Sequence, residues 1–261
     1  EAFDTEEDGV GGRQSEWWEL APELTKIDGQ YRTSLVVDPA DGQLPYNEAG
    51  RRLVREGREI PLAAMAGPEV RPSPERCLTA GSGAGGAPMF PARYNGHYHI
   101  IQAPDEVAIA TESAGVRIVR LGVRTHPPAH IRLWSGDSIG RWEGDTLVVE
   151  TTNFHPGEVH KTPQPISITA DAKVTEWFRR ISPSEILYSF SVQDPAVLTR
   201  SWRGELVMRA AKGPVYEYAC HEGNYSLAGI LAGARVEEKA ALVARQEPAA
   251  TAPGRRTGRG K

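Results

Sequence analysis

A chain of 261 residues can bury one substantial core, and its formal net charge of −4 does not suit a surface built throughout for nucleic acid. No run of about 18 apolar residues occurs, so no segment is expected to cross a bilayer as a helix. The charge is unevenly placed. Glu1, Asp4, Glu6, Glu7 and Asp8 make an acidic start, whereas Arg255, Arg256, Arg259 and Lys261 make a basic end with no acid after Glu247. Ends of this kind contact partners or hang free.

Residues 1–30 read as an extended arm with one apolar anchor, Trp17 and Trp18. A short strand is expected in "YRTSLVVD" (31–38), stopped by the turn residues Pro39, Asp41 and Gly42, and a short helix over about 47–57. The stretch 67–91 is rich in Gly and Pro and lacks periodicity. Connections this long are usually functional or docked against something.

The texture then changes to short β-rich runs separated by turn signals: "HYHIIQA", "EVAIATE", "VRIVRL", "SIGRW", "DTLVVETT", "AKVTEWFRR", "EILYSFSVQ", "SWRGELVMR" and "VYEYAC". With no long helix among them, they predict an antiparallel meander. Glu143, Gly144 and Asp145 mark a tight reversal. In "AKVTEWFRR", Val174, Glu176 and Phe178 face one way and Thr175, Trp177 and Arg179 the other. Such a strand suits the wall of a barrel with an occupied interior.

Helical periodicity returns over about 227–245 through Leu227, Ile230, Leu231, Val236, Ala240 and Val243, and residues 246–261 form a basic tail too poor in apolar residues to pack alone. The expected fold is therefore mainly β: a single domain over 31–245, built as an antiparallel lipocalin-like barrel or strongly curved sheet, with an irregular N-terminal arm and a C-terminal helix.

The two cysteines, Cys77 and Cys220, suit one disulfide in an oxidising compartment, with two buried thiols as the alternative. A bridge would close a loop of 143 residues (220 minus 77), worth about 4 to 5 kcal/mol in loop-closure entropy. A first residue that is Glu rather than Met fits a chain whose leader has been removed.

"PERCL", "YNGHYHIIQAPDEVAI", "SGDSIGRWEGDTLVVETTNF", "VTEWFRR", "VQDPAVLTRSW" and "YEYACHEGNY" together resemble a large family of exported bacterial proteins of unassigned function, over about residues 31–238. The resemblance implies an exported β-rich domain and supplies no reaction. Relatives often carry "GHS" where this chain has "GDS" at 136–138, so Asp137 stands in place of a histidine. After "TTNF", many relatives carry a polar, His-bearing stretch where this chain reads "HPGEVHKTPQPISITADA". If relatives use those histidines for chemistry, this chain has lost it.

The chemistry-bearing residues divide the function classes. His126 and His130 in "HPPAH" have the spacing of a helical metal site, but Pro127 and Pro128 forbid that helix. His126 could combine across space with His221 and Glu222, yet we expect no bound metal and no cofactor. "GSGAGG" at 81–86 lacks the Lys of a phosphate loop. If the protein is an enzyme, the acid/base set is His126, Asp137, Arg141, His221 and Glu222. On adjacent strand positions His221 and Glu222 would face opposite ways, so "YACHE" reads as a strand end anchored by a bridged Cys220.

Two classes follow. The first is a non-catalytic accessory subunit on the periplasmic face of a membrane assembly such as a respiratory or photosynthetic complex. It would use Trp17, Trp18, Arg255, Arg256, Arg259 and Lys261 as partner contacts, the tail also meeting anionic lipid. The second is an exported lyase, isomerase or hydrolase with a small organic substrate in the barrel mouth.

Overall fold

The computed structural model describes residues 25–56, 67–71, 73–79, 85–91, 96–112, 115–156, 166, 168–215 and 218–246. They belong to two compact units, one spanning Glu1–Ile60 and Pro72–Gly223, the other Pro61–Arg71 and Asn224–Lys261.

The first unit is built on a nine-stranded sheet. In chain order the strands are a small hairpin, β1 (Lys26–Ile27) and β2 (Gln30–Tyr31), then β3 (Val36–Asp38), β4 (Tyr98–Gln102), β5 (Glu106–Thr111), β6 (Gly115–Leu121), β7 (Asp137–Glu143), β8 (Thr146–Thr152), β9 (Lys173–Ser182), β10 (Glu185–Gln193) and β11 (Trp202–Arg209). The large sheet runs β3-β11-β10-β9-β8-β7-β6-β5-β4. Helix α1 (Glu48–Glu56) precedes the sheet's main run, and α2 (Cys220–Gly223) ends the unit. Asn47 caps α1, its Oδ1 accepting the Gly50 N–H at 2.9 Å.

Period-two patterning explains the sheet. On β9, Val174, Glu176 and Phe178 are buried while their odd-numbered neighbours are not. The register places Leu147, Val149 and Thr151 of β8 opposite them, and Tyr188, Phe190 and Val192 of β10 on the other side. All face one core. Gly204 on β11 lies opposite Phe190, and a Cβ there would run into the Phe190 ring. The β7–β8 reversal is the expected one: Glu143 pairs with Thr146, and Gly144 adopts φ +63°.

Four expectations need correction. Among the described residues β3 and β4 do not pair, so the sheet is open and no closed barrel forms. The meander is broken once, because β6 and β7 run parallel. The expected strand at 31–38 is shorter, beginning at Val36. Of the expected strand "VYEYAC", the described residues Val215, Tyr218 and Ala219 lie in no strand and Cys220 opens a helical turn.

The core is completed by the Gly/Pro-rich segment. Residues 85–90 are all buried, with Ala87, Met89 and Phe90 at 4% exposure or less. Phe90 meets Phe190 edge-on at 5.7 Å between centroids. The long connection is thus docked, in this part, against its own sheet, where it fills the inner face.

The second unit contains a 3-10 turn at Pro68–Val70 and helix α3 (Tyr225–Gln246). Asn224 begins α3, its Oδ1 accepting from the Leu227 N–H at 3.4 Å.

Candidate functional site

Parallel neighbours cannot be joined by a hairpin, so the chain between β6 and β7 must cross over the sheet. Residues 122–136 do this on the face opposite the core. Asn153, at φ +57°, anchors the crossover by donating from Nδ2 to the carbonyls of Pro127 and Ile131, both at 3.1 Å, and of Pro128 at 3.4 Å. Arg132 donates to the carbonyls of Phe154 and Ala170. Gly136 closes the segment at φ +74°, where a Cβ would lie 2.7 Å from Thr151 Cγ2 and 2.8 Å from Thr152 O. Only glycine fits that return.

The crossover carries His126 onto the outer face of β7 and β8. Its Nδ1 lies 2.6 Å from Asp137 Oδ2. Arg120 Nη2 donates to both oxygens of the same carboxylate at 2.8 Å. On the other side of the ring, His126 Nε2 is 3.5 Å from Glu150 Oε1, and Lys173 Nζ is 2.5 Å from Glu150 Oε2. Asp137 pairs with Thr152 and Glu150 with Ile139, so neighbouring strands present both carboxylates to one imidazole. Burial pushes the Glu150 carboxyl up, but the Lys173 hydrogen bond and charge, followed by His126, bring it below its ordinary value.

The Asp137–His126 contact is the kind that orients a general base. The second ring nitrogen, however, is buried without a hydrogen bond and sits against Glu150 at more than normal bonding distance. As arranged, the ring ties the crossover to two strands. Later in the crossover, Trp134 stacks on His155 with centroids 4.0 Å apart, and the Arg76 guanidinium lies 5.8 Å from the Trp134 ring.

Of the five residues proposed for acid/base work, only His126 and Asp137 come together. Arg141 is exposed further along β7 and is bound to Glu143 at 2.6 Å. His221 and Glu222 lie exposed on α2, consecutive in one helical turn rather than split across a wall. Cys77 and Cys220 are bridged, with Cα atoms 5.7 Å apart. Trp17, Trp18, Arg255, Arg256, Arg259 and Lys261 lie outside the described residues. Among the described residues no group of three or more His, Cys, Asp or Glu is placed to hold a metal.

Arg120, Glu150 and Lys173 were not foreseen, and neither was a second network on the inner face. There Arg117 grips Glu176 in a bidentate pair, Nη1 to Oε2 at 2.6 Å and Nη2 to Oε1 at 3.0 Å. Tyr188 OH donates to Glu176 Oε1 at 2.7 Å and accepts from the Met89 N–H at 2.8 Å. All three side chains are buried. Burial works against the Arg117 charge, yet Glu176 holds its pKa above the ordinary value, and burial drives the Tyr188 and Tyr98 hydroxyls up. The available signal was a charge set within the apolar alternation of each strand, Arg117 two residues before Val119 and Glu176 between Val174 and Phe178, with opposite signs.

Comparison with family models, curated proteins and solved structures returns no match.

Proposed function

We propose that this protein is a non-catalytic accessory or binding subunit, exported and docked on the outer face of a larger membrane assembly. The observation that carries this reading is on α3, where every residue from 235 to 245 is exposed. Val236 is 69% exposed and Val243 52%, and with Ala240 between them they form an i, i+4, i+7 stripe of the kind that seats in a partner's groove. A helix in water draws most of its stability from an apolar face that packs.

Three further features support the reading. The inner face of the sheet is filled by residues 85–90 of the chain itself. A disulfide suits an oxidising compartment. No helix among the described residues is long and apolar enough to cross a membrane, so attachment would be peripheral. The sequence phrases resembling exported bacterial proteins point the same way.

The test is capture from native membranes in mild detergent, parent against a Val236→Glu/Val243→Glu variant. Integral proteins should come down with the parent and be lost with the variant. A parent that purifies alone and turns over a small molecule overturns the reading.

The 2.6 Å His126–Asp137 contact favours a second reading, an exported lyase, isomerase or hydrolase with His126 as base. It requires Glu150 to swing aside. Activity abolished by His126→Ala but kept by the α3 variant would establish it.

A further inference from the structure

Sheet edges expose unpaired backbone groups, and proteins usually defend them with charge, proline, shortness or a bulge. Among the described residues, the two edge strands of this sheet, β3 and β4, differ. β3 is three residues long, ends at Asp38 before Pro39, and its pairing with β11 shifts register between Arg203 and Gly204. β4, with sequence YHIIQ, has no Asp, Glu, Lys, Arg or Pro, and pairs with β5 without interruption.

The orientation of the β4 backbone follows from its ladder. Glu112 N–H donates to His97 O and Ala103 N–H to Glu106 O. Antiparallel alternation then makes His99–Ala110 and Ile101–Ala108 the hydrogen-bonded pairs, and turns the N–H and C=O groups of Ile100 and Gln102 away from β5. Beside this edge the outer face is apolar: Ile101 is 47% exposed, Ile118 42% and Val116 59%, with Ala108 and Ala110 between them.

We propose that β4 pairs with β4 of a second copy of this chain, antiparallel, about a two-fold axis through Ile100, joining two sheets into one. Self-complementarity selects this occupant. With the axis at Ile100, that residue opposes its own copy across a hydrogen-bonded position, the state its backbone already presents. His99 opposes the second copy's Ile101, and Ala103 opposes its His97.

The registers extend both rows across the seam. One row runs Ile118, Ala108, Ile101, then the second copy's His99, Ala110 and Val116, a continuous apolar field interrupted by one imidazole. The next runs Arg120, Glu106, Ala103, then the second copy's His97 and Glu112, so that Glu106 faces a histidine over a small alanine and no like charges meet. One paired strand with its flanking face is a small interface, so the dimer is weak and concentration-dependent. It is independent of α3.

Sedimentation of the full chain over a wide concentration range should show a reversible monomer–dimer equilibrium. Ile101→Lys leaves the β4–β5 ladder intact and brings two ammonium groups to the seam, so the dissociation constant should rise about tenfold or more. Ile100→Cys supplies a readout of register: the facing Cα atoms should lie about 5.5 Å apart, within disulfide reach, and the chain's own cysteines are already bonded. Oxidation should link this variant into covalent dimers, whereas Ile118→Cys, two strands inside the edge, should stay uncrosslinked. Monomer at every concentration, a dimer that Ile101→Lys leaves unchanged, or crosslinking at position 100 no faster than at 118 each overturns the proposal.

Discussion

Arg117 on β6 and Glu176 on β9 make a bidentate ion pair although β7 and β8 lie between their strands. Side chains stand roughly perpendicular to a sheet, so in a flat one these groups would stand about 14 Å apart at normal strand spacing. The two long side chains meet by reaching across the inner face of β7 and β8.

Breaking this pair on one side should be costly. Glu176→Gln removes the counter-charge from a buried guanidinium, and about 3 to 5 kcal/mol of stability should be lost. Arg117→Met combined with Glu176→Leu should recover much of it, because neither charge is then stranded. Urea unfolding of the parent, the single variant and the double variant decides the point. A Glu176→Gln variant as stable as the parent would contradict the buried-pair account.

Glu150 predicts acid sensitivity. Its folded pKa lies below the ordinary value of 4.5, so its contribution is fully present above that value and is lost as pH falls through the lower folded one. The stability curve of Glu150→Gln should be flatter than the parent's in this acid window. Lys173→Met should flatten it too, since Lys173 is the main lowering partner. Thermal melts at stepped pH provide the comparison.

The crossover should loosen without its anchor. Asn153→Ala removes the Nδ2 donor from the carbonyls of Pro127 and Ile131 and also disfavours the positive φ, costing about 1 to 3 kcal/mol. Asn153→Gly keeps the backbone freedom and loses only the amide, so it should cost less. Hydrogen exchange over residues 122–136 should accelerate in both, with β9 and β10 still protected.

Without reductant, neither Cys77 nor Cys220 should be alkylated in the unfolded chain. Reduction should then lower stability by about 4 to 5 kcal/mol, less any strain relieved, since the bridge closes a separation of 143 residues. Labelling of both thiols before reduction would contradict the bridge.

Local pattern alone determined most of the strands, the reversal at Gly144 and both longer helices to within two residues; with two cysteines in the chain, Cys77 and Cys220 were the one pairing a bridge could have, and whether it formed was left to the structure. Alternation and turn chemistry act over a few residues, so they are legible in a window of that size. Even the phase of β9 was correct, Glu176 included. What Glu176 meets was not legible, because Arg117 is 59 residues away and no local signal reports such pairs. The single parallel pairing was hidden for the same reason. β6 and β7 read identically in either direction, and only the sheet order makes residues 122–136 a crossover that sets His126 between Asp137 and Glu150. Cys220 shows the opposite case: "VYEYAC" has strand composition, yet Cys220 opens a helical turn bridged to Cys77. The tertiary structure also turned a Gly/Pro-rich segment inward, where Ala87, Met89 and Phe90 are buried and the segment meets Phe190 and Tyr188. Composition marks such a segment as irregular, but only the shape of the surrounding core determines whether it faces water or fills a void.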